Sequence, residues 1–175
     1  MPIDNSNELF PIVDEKGYII GSATRGECHS GSMLLHPVVH LHVFDRQGRL
    51  YLQKRPLWKD IQPGKWDTAV GGHVDFGEET CDALRREARE ELGLTDFEPE
   101  FIGSYVFQSA CERELINAFR TTTETSPTPS DELDGGRFWT TEEIRQAIGK
   151  NILTPNFENE YIRLNLSYNS DKTTF

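Results

Sequence analysis

The sequence predicts an α/β domain in which a mixed β-sheet carries a few helices. Three observations support this. From Thr80 to Leu92 there is neither glycine nor proline, and Ala, Leu, Arg and Glu dominate, so a helix of roughly three to four turns is expected. Segments rich in β-branched and aromatic residues, bounded by turn residues, lie on both sides of that helix and read as strands. The chain has 175 residues, which suits a single domain with a sizeable core.

In chain order, residues 8–25 read as a hairpin that extends the domain at its N-terminus: Glu8 to Val13, a turn at Asp14-Glu15-Lys16-Gly17, then Tyr18 to Ser22. Ala23 to Leu35 has no clear pattern, and Gly26, Gly31 and Ser32 break any helix there. Val38 to Phe44 is β-rich, and the turn Asp45-Arg46-Gln47-Gly48 leads into Arg49 to Lys54, giving a second hairpin. Arg55 to Asp67, with Pro56, Pro63 and Gly64, is a loop before a short strand at Thr68 to Val70. The helix that follows shows an apolar stripe of Cys81, Leu84, Ala88 and Leu92, and Gly93 sits where its C-terminal cap belongs. Glu98 to Gln108 and Glu114 to Thr122 are two further strands, joined by Ser109 to Arg113. Thr123 to Ser130 reads as a polar surface linker rather than a lid. Arg137 to Trp139 is a strand, and Thr140 with Glu143 three residues on caps a helix running to about Ile148. Asn156 to Leu164 is a last short helix, and the polar residues from Asn165 onward are expected to fray.

The net charge of −11 and a pI of about 4.9 disfavour a nucleic-acid-binding face, so no nucleic-acid partner is expected. One local basic segment remains, Lys54, Arg55, Lys59 and Lys65; it is either ordinary surface or a patch that steers a phosphorylated substrate. Cys28, Cys81 and Cys111 are odd in number and lack a zinc-like spacing, so reduced thiols in a cytoplasmic protein are expected. The first residues lack the basic start and apolar core of a signal peptide, and no run approaches a membrane span.

The chemistry concentrates between Gly72 and Leu94. On the predicted helix Glu87, Glu90 and Glu91 stand at i, i+3 and i+4, so three carboxylates share one face. A hard divalent cation, Mg²⁺ or Mn²⁺, relieves their repulsion; a solvated acidic face laced by Arg85, Arg86 and Arg89 is the other reading of the triplet alone. Gly71, Gly72 and Gly77 bracket a tight loop in front of the helix, as phosphate-contacting loops often do.

Gly72, Glu78, Arg86, Glu87, Glu90, Glu91 and Gly93, at this spacing and closed by Leu94, resemble the Nudix box at every fixed position; Ala88 is a small occupant of an aliphatic position. The resemblance implies an α/β/α sandwich and a metal-dependent hydrolase. Its expected substrate is a nucleoside diphosphate linked to another moiety, or a related organic diphosphate. It implies Glu87, Glu90, Glu91 and the Gly72 carbonyl as ligands of Mg²⁺ or Mn²⁺, and Arg86 as the residue that holds Glu78 and Glu87 in place. The general base is open between Glu90, Glu91 and Glu114. A homodimer follows only by family analogy, and a non-catalytic nucleotide-binding module on the same fold is the alternative.

A second resemblance overlaps the first. Cys28-His29, Leu34-Leu35-His36, Leu52-Gln53-Lys54-Arg55, Pro63-Gly64-Lys65-Trp66, His73 and Glu112-Arg113-Glu114 look like the type I isopentenyl-diphosphate isomerases, a branch built on the Nudix fold. In that branch the residues matching His29, His36, His73, Glu112 and Glu114 bind a divalent metal, a sound transition-metal set. The isomerase's catalytic cysteine, two residues before the third histidine, is Gly71 here, and its proline is Val74. The chain therefore resembles a hydrolase on an isomerase-like frame, and an isomerase-like enzyme acting on prenyl diphosphates is a further alternative. His40 and His42, alternating within a strand, are expected to be structural. Specificity is expected from residues 55–67, 107–113 and 121–136, with Trp58, Trp66, Tyr105 and Phe107 as aromatics that either stack on a base or sugar or belong to the core.

Overall fold

The longest β-rich run becomes the central strand, and everything that bears on the site is placed relative to it. In the computed structural model, which describes residues 4–166, this is β3 (Leu35–Phe44), after a hairpin of β1 (Leu9–Val13) and β2 (Ile19–Thr24) and the single-turn helix α1 (Arg25–Cys28). There follow β4 (Leu50–Lys54), β5 (Trp66–Thr68), β6 (Val70–His73), α2 (Thr80–Leu92), β7 (Glu100–Gln108), β8 (Arg113–Thr122), β9 (Gly136–Trp139), α3 (Thr141–Ala147) and α4 (Pro155–Arg163). β3 runs parallel to β8 from Leu35↔Arg113 to Phe44↔Thr122, while β7 lies antiparallel to β8, so the sheet is mixed. On its other edge β3 pairs with β6 through Val38 to Leu41 and touches β4 at Phe44↔Leu50; β4 in turn carries β5 and β9.

Strand alternation sorts β3 into two faces. Val39, Leu41 and Val43 pack against Leu84, Ala88 and Leu92 of α2. Phe44 joins Leu50, Ile144, Phe157 and Tyr161 on the opposite side, where α3 and α4 lie. The result is the expected sandwich, α2 on one face of the sheet and α3–α4 on the other. His36, Val38, His40 and His42 share the α4 face by parity. Phe157 is fully buried in that layer, so Phe157→Ala should cost about 3–5 kcal/mol, read as a fall in the denaturant midpoint.

Several sequence expectations are corrected. Gly26 does not prevent a helical turn, because Thr24 and Glu27 form a reciprocal capping box around α1. The strand expected at Thr68 to Val70 is two strands divided at Ala69, one paired to β4 and the other to β3. Within α2, Cys81 is exposed and Ala83 takes its place in the buried stripe, although Gly93 caps the helix in the left-handed region as expected. The linker after β8 is tied down, with the Thr128 and Ser130 amides donating to the Leu92 and Glu91 carbonyls at the end of α2. Leu166 is buried against α4's layer rather than frayed, and the rest of the expected tail lies outside the described residues. Among the described residues no helix is long and apolar enough to cross a membrane.

Candidate active site

The two glycines of β6 decide how the site is built. A Cβ at Gly72 would sit inside the Glu87 carboxylate of α2, whereas a Cβ at Gly71 would lie 3.4 Å from His40 Cδ2 on β3. Bare backbone at these positions lets the helix carboxylates approach one side of the strand and an imidazole approach the other.

Arg86 organises the helix side. Its Nε and Nη2 donate to the two Glu78 oxygens at 2.9 and 3.0 Å, Nη1 donates to Glu87 Oε1 at 2.8 Å, and Nη2 also donates to the His73 carbonyl at 3.0 Å. Glu78 Oε2 accepts from the Asp75 amide at 3.0 Å, so the loop from His73 to Glu78 is fastened to α2 through one guanidinium. Burial works against the charge on Glu78, yet the guanidinium and that amide outweigh it and hold the carboxyl below its ordinary value. Lysine cannot reproduce this planar fork. Arg86→Lys is therefore expected to lower turnover by about 10–100-fold, the loss seen when residues supporting a metal site are removed. Steady-state kinetics on the folded variant would check it.

Glu91 accepts from Gln53 Nε2 at 3.1 Å and from the Gly71 amide at 3.4 Å. Burial, reinforced by the neighbouring Glu87 charge, pushes its carboxyl up to about 8. Burial likewise pushes Glu87 up to about 7, against the pull of Arg86. Glu90 is different: its side chain is 55 % exposed and stands 3.6 Å from Arg86, outside the cavity that Glu87 and Glu91 line. Two half-buried carboxylates with raised pKa values beside bare glycine backbone form a site short of positive charge.

That cavity, of about 470 Å³, opens between β4–β5 and β3–β6. Of the basic segment, Arg55 and Lys59 reach it, while Lys54 is turned to Asp134 and Lys65 does not line it. Each of the three expected specificity loops contributes, through Lys59, Glu112 and Leu133 among others. Trp66 packs edge-on against Trp139, and Tyr105 bonds Glu160; Trp58 stays 47 % exposed and lines a smaller hollow with Pro56 and Leu133, both shared with the main cavity.

The second expected constellation is also brought together. Ring nitrogens of His29, His36 and His73 lie within 4.8 Å of one another, as do those of His36 and the oxygens of Glu112 and Glu114. His29 Nε2 is 3.3 Å from His73 Nε2 and 3.1 Å from Glu112 Oε2. Burial pushes all three imidazoles below their ordinary value, His73 furthest, which keeps them neutral. It pushes Glu114 up to about 7, aided by Glu112. His36 Nε2 is buried without a hydrogen-bond partner among the described residues. The sequence gives no hint of the wall behind this cluster: fully buried Phe10 of β1 stacks on His73 at 4.5 Å and 2°, and on His36 at 5.7 Å and 18°. The N-terminal hairpin is thus part of the site, and Arg25 lines the cavity beside it.

His40 and His42 both meet Glu160 of α4, which is 1 % exposed. His40 Nδ1 lies 3.0 and 3.1 Å from its two oxygens, His42 Nε2 2.6 Å from Oε2, and Tyr105 donates to Oε1 at 2.7 Å. Burial opposes the charge on His40, but Glu160 outweighs it and raises the imidazole to about 9. The expectation of structural histidines holds for fully buried His42; His40 lines the cavity. Phe10, Arg25 and Glu160, and the contact of Gln53 with Glu91, escaped sequence reasoning because each is placed by pairings distant in the chain.

Comparison with known proteins agrees with this geometry. The family described as NUDIX domain matches residues 34–157. An uncharacterized Nudix hydrolase of Streptomyces coelicolor is 33 % identical over 117 residues, 66 % of this chain and 64 % of that protein. An isopentenyl-diphosphate Delta-isomerase of Mycolicibacterium vanbaalenii is 38 % identical over 94 residues, 54 % of this chain and 52 % of that protein. The chain thus aligns with less than two thirds of either relative's length. Among solved structures, a Deinococcus radiodurans protein superposes with a TM-score of 0.74 at 25 % identity, covering 90 % of this chain and 99 % of that one.

Proposed function

Because the chain belongs to the Nudix family, we propose that it is a metal-dependent hydrolase of a diphosphate linkage, in a nucleoside diphosphate joined to another moiety or in a related organic diphosphate. The observation that carries this reading is the convergence of Glu87 and Glu91 on the bare backbone of Gly71 and Gly72, braced by Arg86. An all-oxygen donor set fits Mg²⁺ or Mn²⁺. Glu87, Glu91 and the Gly72 carbonyl would hold the ion, with Glu90 swinging in from solvent. Such an ion supplies charge neutralisation on the phosphoryl oxygens and a more acidic bound water.

The chain's own residues do the rest. Arg55 and Lys59 attract the diphosphate at the cavity mouth. Gln53 and the Gly71 amide fix the orientation of Glu91. Arg86 positions Glu87 without facing the reacting atoms itself. The base that takes the proton of the attacking water is one of Glu90, Glu91 and Glu114, of which Glu91 and Glu114 line the cavity.

The histidine cluster favours a second metal. The orphaned His36 nitrogen among neutral imidazoles and two carboxylates fits a transition ion held by His29, His36, His73, Glu112 and Glu114. It also keeps in view the isomerase activity that some relatives are named for. Gly71 opposes that activity, since it offers no thiol where the isomerase branch carries its cysteine.

The test is a panel of nucleoside diphosphate sugars, dinucleotides, nucleoside triphosphates and isopentenyl diphosphate, incubated with and without Mg²⁺. Liberated phosphate, direct or after added phosphatase, is the readout. Mg²⁺-dependent turnover of one class supports the hydrolase and names its substrate. Silence across the panel, with tight nucleotide binding by calorimetry, would transfer the reading to a binding module.

A further inference from the structure

We infer that His40 is a substrate-anchoring residue, whose Nε2 binds a phosphoryl oxygen of the diphosphate from the sheet side of the cavity, across β6 from Glu87 and Glu91. This rests on the diphosphate reading above and adds a protein contact that the carboxylate sites do not supply.

The geometry separates the two ends of the imidazole. Nδ1 is clamped by both oxygens of Glu160, and Glu160 is itself fixed by His42 and Tyr105. Nε2 has no protein partner among the described residues, and the side chain, 18 % exposed, lines the cavity. A clamp that fixes one nitrogen and leaves the other toward a cavity orients a ring.

Packing alone does not require this arrangement. His42 and Tyr105 already tie α4 to the sheet through the same carboxylate, and an apolar residue at position 40 would fill the space without a buried charge. What His40 adds is positive charge. The cavity is lined by Glu87, Glu91, Glu112 and Glu114, and an anionic substrate entering it gains from every cation that remains. With Glu160 keeping the imidazole protonated, Nε2 is a donor rather than an acceptor.

Gly71 completes the argument. Its missing side chain leaves the edge of His40 uncovered: a Cβ there would stand 3.4 Å from Cδ2 and 3.7 Å from Nε2. The position that lacks a thiol is thus the one that gives the imidazole its view of the cavity. A hydrolase has a use for that opening, because a charge-assisted hydrogen bond to phosphate needs close approach.

The experiment measures binding of methylenediphosphonate, whose P–C–P bridge water cannot cleave, by calorimetry in Mg²⁺. Wild type, His40→Gln and Gly71→Ala are compared, with thermal melts of each. Glutamine keeps a hydrogen bond within reach of Glu160 but carries no charge. His40→Gln should weaken binding by about tenfold or more, the worth of one hydrogen bond to a charged group, and raise KM more than it lowers kcat in the turnover assay. Gly71→Ala, which retains both His40 and Glu160, should weaken it about threefold or more by covering the ring edge, again within the range of one partly lost bond. A purely structural His40 would lower the melting temperature and leave the affinity of the folded protein unchanged, and that result overturns the inference. If His40→Gln does not fold, Gly71→Ala decides: unchanged affinity there overturns it equally, as does a wild type that binds no diphosphonate. Binding that His40→Gln weakens, in a protein that hydrolyses nothing on the panel, would sink the hydrolase and leave the anchor standing.

Discussion

Glu91→Gln is expected to lower Mg²⁺-dependent turnover by about 10³-fold or more, the several kcal/mol that charge stabilisation at a phosphoryl centre is worth. The substitution changes charge and little else, because the amide has the shape of the protonated acid. Gln53 Nε2 and the Gly71 amide still find an oxygen to donate to. Stability should move the opposite way. A carboxyl raised to about 8 when folded, against an ordinary value near 4.5, binds more protons in the folded state than in the unfolded one between those two pH values. Wild-type stability without metal therefore falls through that window as pH rises, and glutamine removes this contribution. In chelator, the melting temperature of the variant relative to wild type should rise between pH 5.5 and pH 8.5. With Mg²⁺ present, wild type should recover and the variant should not. The same linkage requires Mg²⁺ binding at pH 7 to release protons from Glu87 and Glu91, which calorimetry in two buffers of different ionisation enthalpy detects. A variant that keeps turnover within tenfold of wild type would remove Glu91 from the metal.

How far the sequence could be read follows the range of the interactions involved. The spacing from Gly72 to Leu94 is local: glycine backbone, helix period and the i, i+4 carboxylates are all set within one loop and one helix, so Glu78, Arg86, Glu87 and Glu91 stand together as expected. Caps and turns were legible for the same reason, as at Thr140 with Glu143 and at Asp14 to Gly17. Glu90 marks the limit of periodicity. Helical spacing puts it on the face of Glu87, but the helix rolls so that Glu87 and Glu91 turn inward and Glu90 is left near solvent. The split of one expected strand at Ala69 was illegible because β5 and β6 differ in partner rather than in composition. Phe10 and Glu160 are further from any local rule. One is brought in by a hairpin from the start of the chain and the other by its last described helix, 120 residues from the His40 it holds. Both bury groups that would be expensive alone, a neutral histidine nitrogen and a carboxylate, and the reason they are tolerated appears only in three dimensions.

The same distinction makes His36→Phe informative about the histidine cluster. His36 is fully buried, and its Nε2 has no partner among the described residues, an arrangement that costs about 1–3 kcal/mol. Phenylalanine has a similar shape and can keep the stack against Phe10, giving up only the contact of Nδ1 with the Leu34 carbonyl at 3.0 Å. The apo variant should therefore melt no lower than wild type. Its affinity for Mn²⁺ or Zn²⁺ should fall by about 10²-fold or more, since even residues that only support a metal ligand are worth 10–100-fold. Metal content after dialysis and calorimetric titration read this directly, without reference to turnover. Mg²⁺ binding at Glu87 and Glu91 should persist, because Arg86 braces that site from α2 and not from the imidazoles. If instead His36→Phe lowers the melting temperature by roughly 5 °C or more, and wild type and variant alike retain no transition metal after dialysis, the histidines are a packed cluster in which His36 Nε2 is satisfied by solvent, and the second metal site is lost. The two outcomes separate because metal ligation and structural packing make opposite demands on one buried nitrogen: the first needs its lone pair free, the second needs it satisfied.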